Sequence, residues 1–120
     1  MQAWYLRTSD DGTSRFESGE LDFAPVEGVA PGGTFAVAGL GTRDSGIVMF
    51  EPGFSCDFHN SPAATWMLFM AGSMEIEVSG GVTRTFGPGD AIEFHDATGR
   101  GHRSRVVGTT PVVAATAGFG

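Results

Sequence analysis

Residues 73–86 read Ser-Met-Glu-Ile-Glu-Val-Ser-Gly-Gly-Val-Thr-Arg-Thr-Phe, a pattern that settles the class of fold. Apolar and acidic residues alternate strictly over 74–78, so successive side chains of an extended chain fall on opposite faces. Ser79-Gly80-Gly81 supplies a tight turn, and a second β-prone run follows it at 82–86. The stretch is predicted to form an antiparallel hairpin with one face in the core.

The segments on both sides of this hairpin continue the β pattern. Residues 66–70, Trp-Met-Leu-Phe-Met, are apolar on both faces, as expected of a central strand buried on each side. The 19 glycines and 6 prolines interrupt the chain too often for long helices. We predict an all-β fold of mostly antiparallel strands at residues 3–8, 14–17, 21–26, 34–40, 46–50, 55–59, 65–70, 73–79, 82–86, 91–95, 101–107 and 111–116.

Length and composition predict one domain over residues 1–120. A chain of 120 residues with 41% hydrophobic residues is of the size that fills a single core. Residues 10–12 and 27–33 are predicted loops, because they are rich in glycine, proline and aspartate. Residues 1–33 as a whole are predicted to be N-terminal strands and loops that cover the barrel or a partner.

Charge and residue usage exclude several classes of function. Seven basic against 14 acidic residues give a net charge of −7, which argues against nucleic acid or an anionic membrane as a partner. All basic residues are arginines, so Schiff-base chemistry, pyridoxal phosphate anchoring and a Walker A loop are excluded. Cys56 is the only cysteine, which excludes an intrachain disulfide. With no leader or membrane span recognisable, we expect a cytoplasmic protein.

A spaced set of imidazole and hydroxyl side chains lies between two glycines in the middle of the chain. It reads Gly53, five residues, His59, one residue, Ser61, three residues, Thr65, six residues, Gly72. Further on, residues 97–102 read Ala-Thr-Gly-Arg-Gly-His and follow a Gly-Pro-Gly-Asp turn at 87–90.

In spacing, these two patterns resemble the motifs of the cupins, Gly-x5-His-x-His-x3-Glu-x6-Gly and Pro-x-Gly-x-x-His. The resemblance covers about residues 45–116 and implies a stand-alone bacterial cupin, a jelly-roll barrel with little helix. Residues 89–102 more narrowly resemble a group of small cupins that read Gly-Asp-x-x-x-x-Glu-Asp-Thr-Thr-Gly-Lys-Gly-His there. His95 stands where that group has glutamate.

The same resemblance implies an incomplete metal site. In cupins, two histidines and a glutamate of the first motif and the histidine of the second hold a divalent metal. His59 and His102 match the first and last of these ligands, but Ser61 and Thr65 replace the other two. Asp57 shares a strand face with His59 by alternation. Asp57, His59 and His102 are therefore an alternative set of ligands for iron, manganese, nickel or zinc, and otherwise no cofactor is expected.

The segment 91–95 leaves two interpretations open. Ala91, Glu93 and His95 share one face of the strand, and Ile92 and Phe94 share the other. If the first face lines the barrel, Glu93 and His95 can act there as acid and base. If the second does, they are solvated and have no chemical role. The first interpretation is slightly favoured.

Three functions fit these features. The favoured one is a small-molecule isomerase, cyclase or lyase without a standard metal site, whose catalytic residues are His59, His102, His95 and Glu93. Its mainly apolar ligand pocket would be lined by Ser61, Thr65, Met67 and Phe69. A metal-dependent, dioxygenase-like cupin and a non-catalytic module that binds small ligands are the alternatives. The resemblance also implies a homodimer.

Overall fold

A computed structural model describes residues 1–26, 35–40, 44–61 and 64–118. The strands are β1 (Gln2–Thr8), β2 (Ser14–Glu20), β3 (Ala24–Val26), β4 (Phe35–Val37), β5 (Asp44–Phe50), β6 (Ser55–His59), β7 (Thr65–Ala71), β8 (Ser73–Val78), β9 (Val82–Phe86), β10 (Ala91–His95), β11 (His102–Val107) and β12 (Val112–Gly118). Every predicted strand is present with ends shifted by a few residues, which confirms the all-β prediction. The loop predicted at 27–33 lies outside the described residues.

The strands form two main sheets. One has six strands in the order β2-β1-β10-β7-β12-β5, the other has four in the order β6-β11-β8-β9, and β3 and β4 form a separate pair. Neighbouring strands are antiparallel except β1, which pairs with β10 in parallel. The N-terminal strands β1 and β2 thus stand at one edge of the six-stranded sheet. No helix within the described ranges has the length and apolar character needed to cross a membrane.

The core lies between the two sheets and draws on both. Phe69 of the larger sheet stacks on Phe86 of the smaller one, with ring centroids 5.7 Å apart. Removing a side chain of this size from water stabilises the fold by roughly 1.5–3 kcal/mol. The buried members of this core are Leu6, Phe69, Met74, Ile76, Val78, Phe86, Ile92, Phe94, Val106, Val112 and Ala114.

The hairpin of β8 and β9 forms as its alternation predicts. The apolar residues of β8 are buried, and its two glutamates lie on the outer face of the four-stranded sheet. There Glu77 pairs with Arg103 at 3.0 Å and Glu75 with Arg105 at 3.0 Å. The hydrogen bonds that Arg105 donates to the carboxylate of Glu75 raise the pKa of Arg105 further above its ordinary value. These pairs are partly solvated, so each adds little to the stability of the fold.

A second, smaller cluster lies on the outer face of the six-stranded sheet. Ala3, Trp66 and Ala91 are buried there, and the ring of Tyr5 packs edge-on against Trp66 at 5.4 Å. The strand β7 is thus buried on both faces, as predicted, although Met70 near its end is exposed.

The loop between β10 and β11 depends on a glycine that touches the histidine-bearing strand. Gly101 has φ +74, and a Cβ at this position would collide with the carbonyl oxygen of His59. Gly53 also has a positive φ, of +89, but no atom lies within 4 Å of a Cβ built there.

Gly101→Ala is therefore expected to lower the free energy of unfolding by about 1–3 kcal/mol more than Gly53→Ala. Both variants incur the backbone strain of a left-handed alanine, and only Gly101→Ala adds the steric overlap. Urea unfolding of the two proteins measures the difference. Equal losses would show that the loop does not touch His59 closely.

Candidate active site

Two histidines from neighbouring strands of the smaller sheet face each other. His59 ends β6 and His102 begins β11, and the two residues are directly paired across the antiparallel ladder. Their ring centroids are 4.6 Å apart, with planes inclined by 56°. His102 is buried, whereas His59 is largely exposed at the end of its strand. The imidazole of His102 is thus enclosed, and the imidazole of His59 lies between it and solvent.

A buried carboxylate holds the ring of His102. Asp96 Oδ2 lies 2.5 Å from His102 Nδ1, and both side chains are almost completely buried. Because a carboxylate only accepts hydrogen bonds, Nδ1 carries the proton, and Nε2 of the neutral ring is left as an acceptor. Asp96 Oδ1 has no hydrogen-bond partner among the described residues. Asp96 is not among the residues proposed from the sequence.

His59 has the same tautomer for a different reason. Its Nδ1 donates to the carbonyl oxygen of Asp57 at 2.9 Å, so Nε2 of the neutral ring is again the acceptor. Asn60, the next residue, secures the loop that carries Asp96. Its side-chain amide donates to the carbonyl oxygens of Asp96 and Gly99, both at 3.0 Å. The two imidazoles and the carboxylate are therefore held as one unit.

A cavity of about 170 Å³ opens beside the two imidazoles. The ring of Phe94 packs on His102 with centroids 4.7 Å apart. Of the pocket residues proposed from the sequence, Ser61, Thr65 and Met67 line the cavity, whereas Phe69 lies in the core and does not line it. Among the described residues, those that line the cavity are Phe50, Phe54, Cys56, His59, Asn60, Ser61, Thr65, Met67, Met74, Phe94, His102 and Ser104.

The expectation that Asp57 shares a face with His59 is wrong. A β-bulge interrupts the pairing of β6 and β11, so that β6 has two residues between Cys56 and His59 where β11 has only Arg103. The extra residue reverses the alternation. Cys56 and His59 therefore share the cavity face, and Asp57 lines a groove on the outer side of the sheet, where its carboxylate accepts the amide of Phe58 at 2.8 Å.

The residues present do not fit the metal that the cupin motifs imply. With Asp57 turned outward, the two imidazoles are the nitrogen donors at the cavity, and Ser61 and Thr65 stand at the other two motif positions. Across the described parts of the chain, no group of three or more histidine, cysteine, aspartate or glutamate side chains is arranged to hold a metal ion. Stable protein sites for such metals use at least three of these ligands.

The favoured placement of Glu93 and His95 inside the barrel is also wrong. Ile92 and Phe94 face the interior, and Glu93 and His95 lie on the outer face of the six-stranded sheet. Glu93 is only 4% exposed there, beside the aromatic cluster, and its Oε1 pairs with Nε2 of His95. The second interpretation, with Ile92 and Phe94 inside, predicted that Glu93 is solvated. Glu93 is buried instead, because other side chains cover this outer face.

The sequence of the chain matches no protein-family model and no curated protein. Solved structures do match. A DMSP lyase, DddQ, from Ruegeria pomeroyi DSS-3 is 24% identical with a TM-score of 0.54, over 96% of this chain and 55% of that one. A cupin-like protein from Thermotoga maritima is 20% identical with a TM-score of 0.52, over 62% of this chain and 55% of that one.

A Cupin 2 conserved barrel domain protein from Salinispora arenicola CNS-205 is 17% identical with a TM-score of 0.51, over 84% of this chain and 80% of that one. The matches to the lyase and to the Thermotoga protein thus cover little more than half the length of either. The shared architecture confirms that the chain has the cupin fold.

Proposed function

We propose that this cupin-fold protein is a small-molecule enzyme of the isomerase, cyclase or lyase type, in which His102 moves a proton. The observation that carries the proposal is the buried pair of Asp96 and His102 at the wall of a mainly apolar cavity. A carboxylate behind an imidazole fixes the tautomer and stabilises the imidazolium that forms when Nε2 takes a proton.

His59 is proposed to pass protons between His102 and solvent. Its ring lies against His102, and its side chain is exposed at the rim of the cavity. An enzyme that removes a proton from one position and returns one to another needs such an exchange path. The shared tautomer of the two rings places an acceptor Nε2 on each of them.

The volume and the lining of the cavity restrict the size and the polarity of the substrate. Pockets for drug-sized ligands measure roughly 300–1,000 Å³, so a cavity of about 170 Å³ suits a smaller molecule. Phenylalanine and methionine side chains form much of the wall. An imidazole removes a proton from carbon where a neighbouring electron-withdrawing group acidifies it, and a carbonyl group is the commonest such group. The proposed substrate is thus a small, largely apolar carbonyl or carboxyl compound.

The experiment is hydrogen exchange in heavy water with a panel of small ketones, esters and carboxylic acids. Proton NMR follows the signal of the hydrogens on the carbon next to the carbonyl group. The protein is expected to speed the loss of this signal for at least one compound, and His95→Asn, on the outer face, is expected to leave the rate unchanged. Compounds that bind without exchanging would make the protein a binding module, and loss of exchange in His95→Asn would move the site to the outer face.

A further inference from the structure

The β-bulge of β6 places the only cysteine of the chain in the cavity next to His59. Cys56 Sγ lies 3.7 Å from His59 Nδ1, 3.5 Å from Ser104 Oγ and 3.6 Å from the carbonyl oxygen of Ser104. Bulges of this kind re-aim side chains beside active sites. With regular alternation, Cys56 and His59 would lie on opposite faces of the strand.

We propose that Cys56 is a nucleophile that forms a thioether with small conjugate acceptors, meaning compounds in which a carbon–carbon double bond adjoins a carbonyl group. The inference rests on the proposed function, since it uses the same cavity and the same proton donor. The site itself does not depend on the cysteine, because the cavity and the buried pair of Asp96 and His102 define it.

Hydrogen-bond donors lie around the sulfur. A thiolate, not a thiol, is the nucleophile, and donors of this kind stabilise its negative charge. The Nδ1–H of His59 points to the carbonyl oxygen of Asp57, with Cys56 Sγ as a second, longer acceptor. A sulfur that gains negative charge therefore already faces an N–H donor, and Ser104 Oγ offers another.

The addition balances without an external reactant. The thiol proton passes to solvent, and Nε2 of His102 takes up one proton from solvent through His59. Sγ bonds to the β-carbon of the acceptor, and the electron pair of the double bond moves toward the carbonyl group. The α-carbon then takes a proton from Nε2 of His102. One thiol and one alkene give one thioether, and no proton or electron is gained or lost.

Acrylamide is a suitable probe because it is a conjugate acceptor small enough for this cavity. With one cysteine and no lysine in the chain, a single adduct measured by intact-protein mass spectrometry reports on Cys56. At neutral pH the native protein is expected to react about tenfold faster than a cysteine in an unstructured peptide. His59→Asn is expected to bring the rate down to that of the peptide, Cys56→Ser to form no adduct, and His95→Asn to react like the wild type.

Urea-unfolded wild type supplies the matched reference, because it has the same thiol without the cavity. A native rate at or below that of the unfolded chain would overturn the proposal, as would an unchanged rate in His59→Asn that circular dichroism shows to be folded. Hydrogen exchange in Cys56→Ser separates the two proposals. If Cys56→Ser still catalyses hydrogen exchange and the wild-type thiol reacts slowly with acrylamide, the proposal that Cys56 is a nucleophile is rejected and the proton-transfer function stands. If the thiol reacts fast and no exchange is seen, the proton-transfer function is rejected and the proposal for Cys56 stands.

Discussion

Replacing His102 by alanine is expected to lower the free energy of unfolding by about 3–5 kcal/mol, because it leaves one member of a buried pair without its partner. Asp96 is completely buried, and its Oδ2 accepts from His102 while Oδ1 has no partner among the described residues. The alanine variant would bury a carboxylate with no side-chain donor. Urea unfolding measures the loss, which corresponds to a decrease in Tm of about 10–20 °C.

Two matched variants separate this effect from simple loss of packing. His102→Asn puts an amide N–H near the position of Nδ1, so it is expected to retain most of the stability. In the double variant that combines Asp96→Ala with His102→Ala, no charge remains buried, so the loss should be smaller than the sum of the single losses. Additive losses would mean that the two side chains do not form a coupled pair.

The strands were predictable because the signals for them are local. The alternation at 74–78, the Gly-Gly turn and the apolar run at 66–70 each act within a few residues, and each element forms where expected. The two motif histidines lie opposite each other across β6 and β11. Sequence reasoning therefore recovered the fold and one half of the candidate site.

The remaining half depends on how strands pair, which local patterns do not report. Between the paired residues at its two ends, β6 has one residue more than β11. Because of this bulge, Cys56 and not Asp57 shares the face of His59. A bulge depends on the partner strand, so the sequence of β6 alone does not predict it. Asp96 was missed because it follows β10 in a polar loop. The loop is held in place by residues that are distant in sequence: Asn60 donates to the carbonyl oxygens of Asp96 and Gly99, and Thr8 donates to that of Thr98.

Glu93 and His95 show a second limit of prediction from the sequence. Alternation correctly put them on one face, but it could not say which face is interior when both are covered. Tyr5 and Trp66 cover the outer face, so a glutamate is buried there without lining the cavity. The described part of the chain therefore contains two carboxylate–imidazole pairs on opposite sides of the barrel wall, and of these two the pair of Asp96 and His102 adjoins the cavity.

These two pairs provide the sharpest test of the proposed chemistry. Asp96→Asn is expected to slow proton exchange by about 10²–10⁴-fold, while the corresponding change Glu93→Gln leaves the rate unchanged. The amide has nearly the shape of the carboxylate, so the cavity is preserved. It lacks the negative charge that stabilises the imidazolium of His102. Where its N–H turns to Nδ1, the ring must also carry its proton on Nε2 and cannot act as a base.

The loss should fall on kcat and not on KM, because Asp96 does not line the cavity and meets the substrate only through His102. Unfolding in urea serves as the control for a structural effect, because a variant that is still folded under the assay conditions cannot have lost its rate through unfolding. If Glu93→Gln abolished exchange and Asp96→Asn did not, the proton would be moved on the outer face. The buried carboxylate of Asp96 would then serve the fold alone.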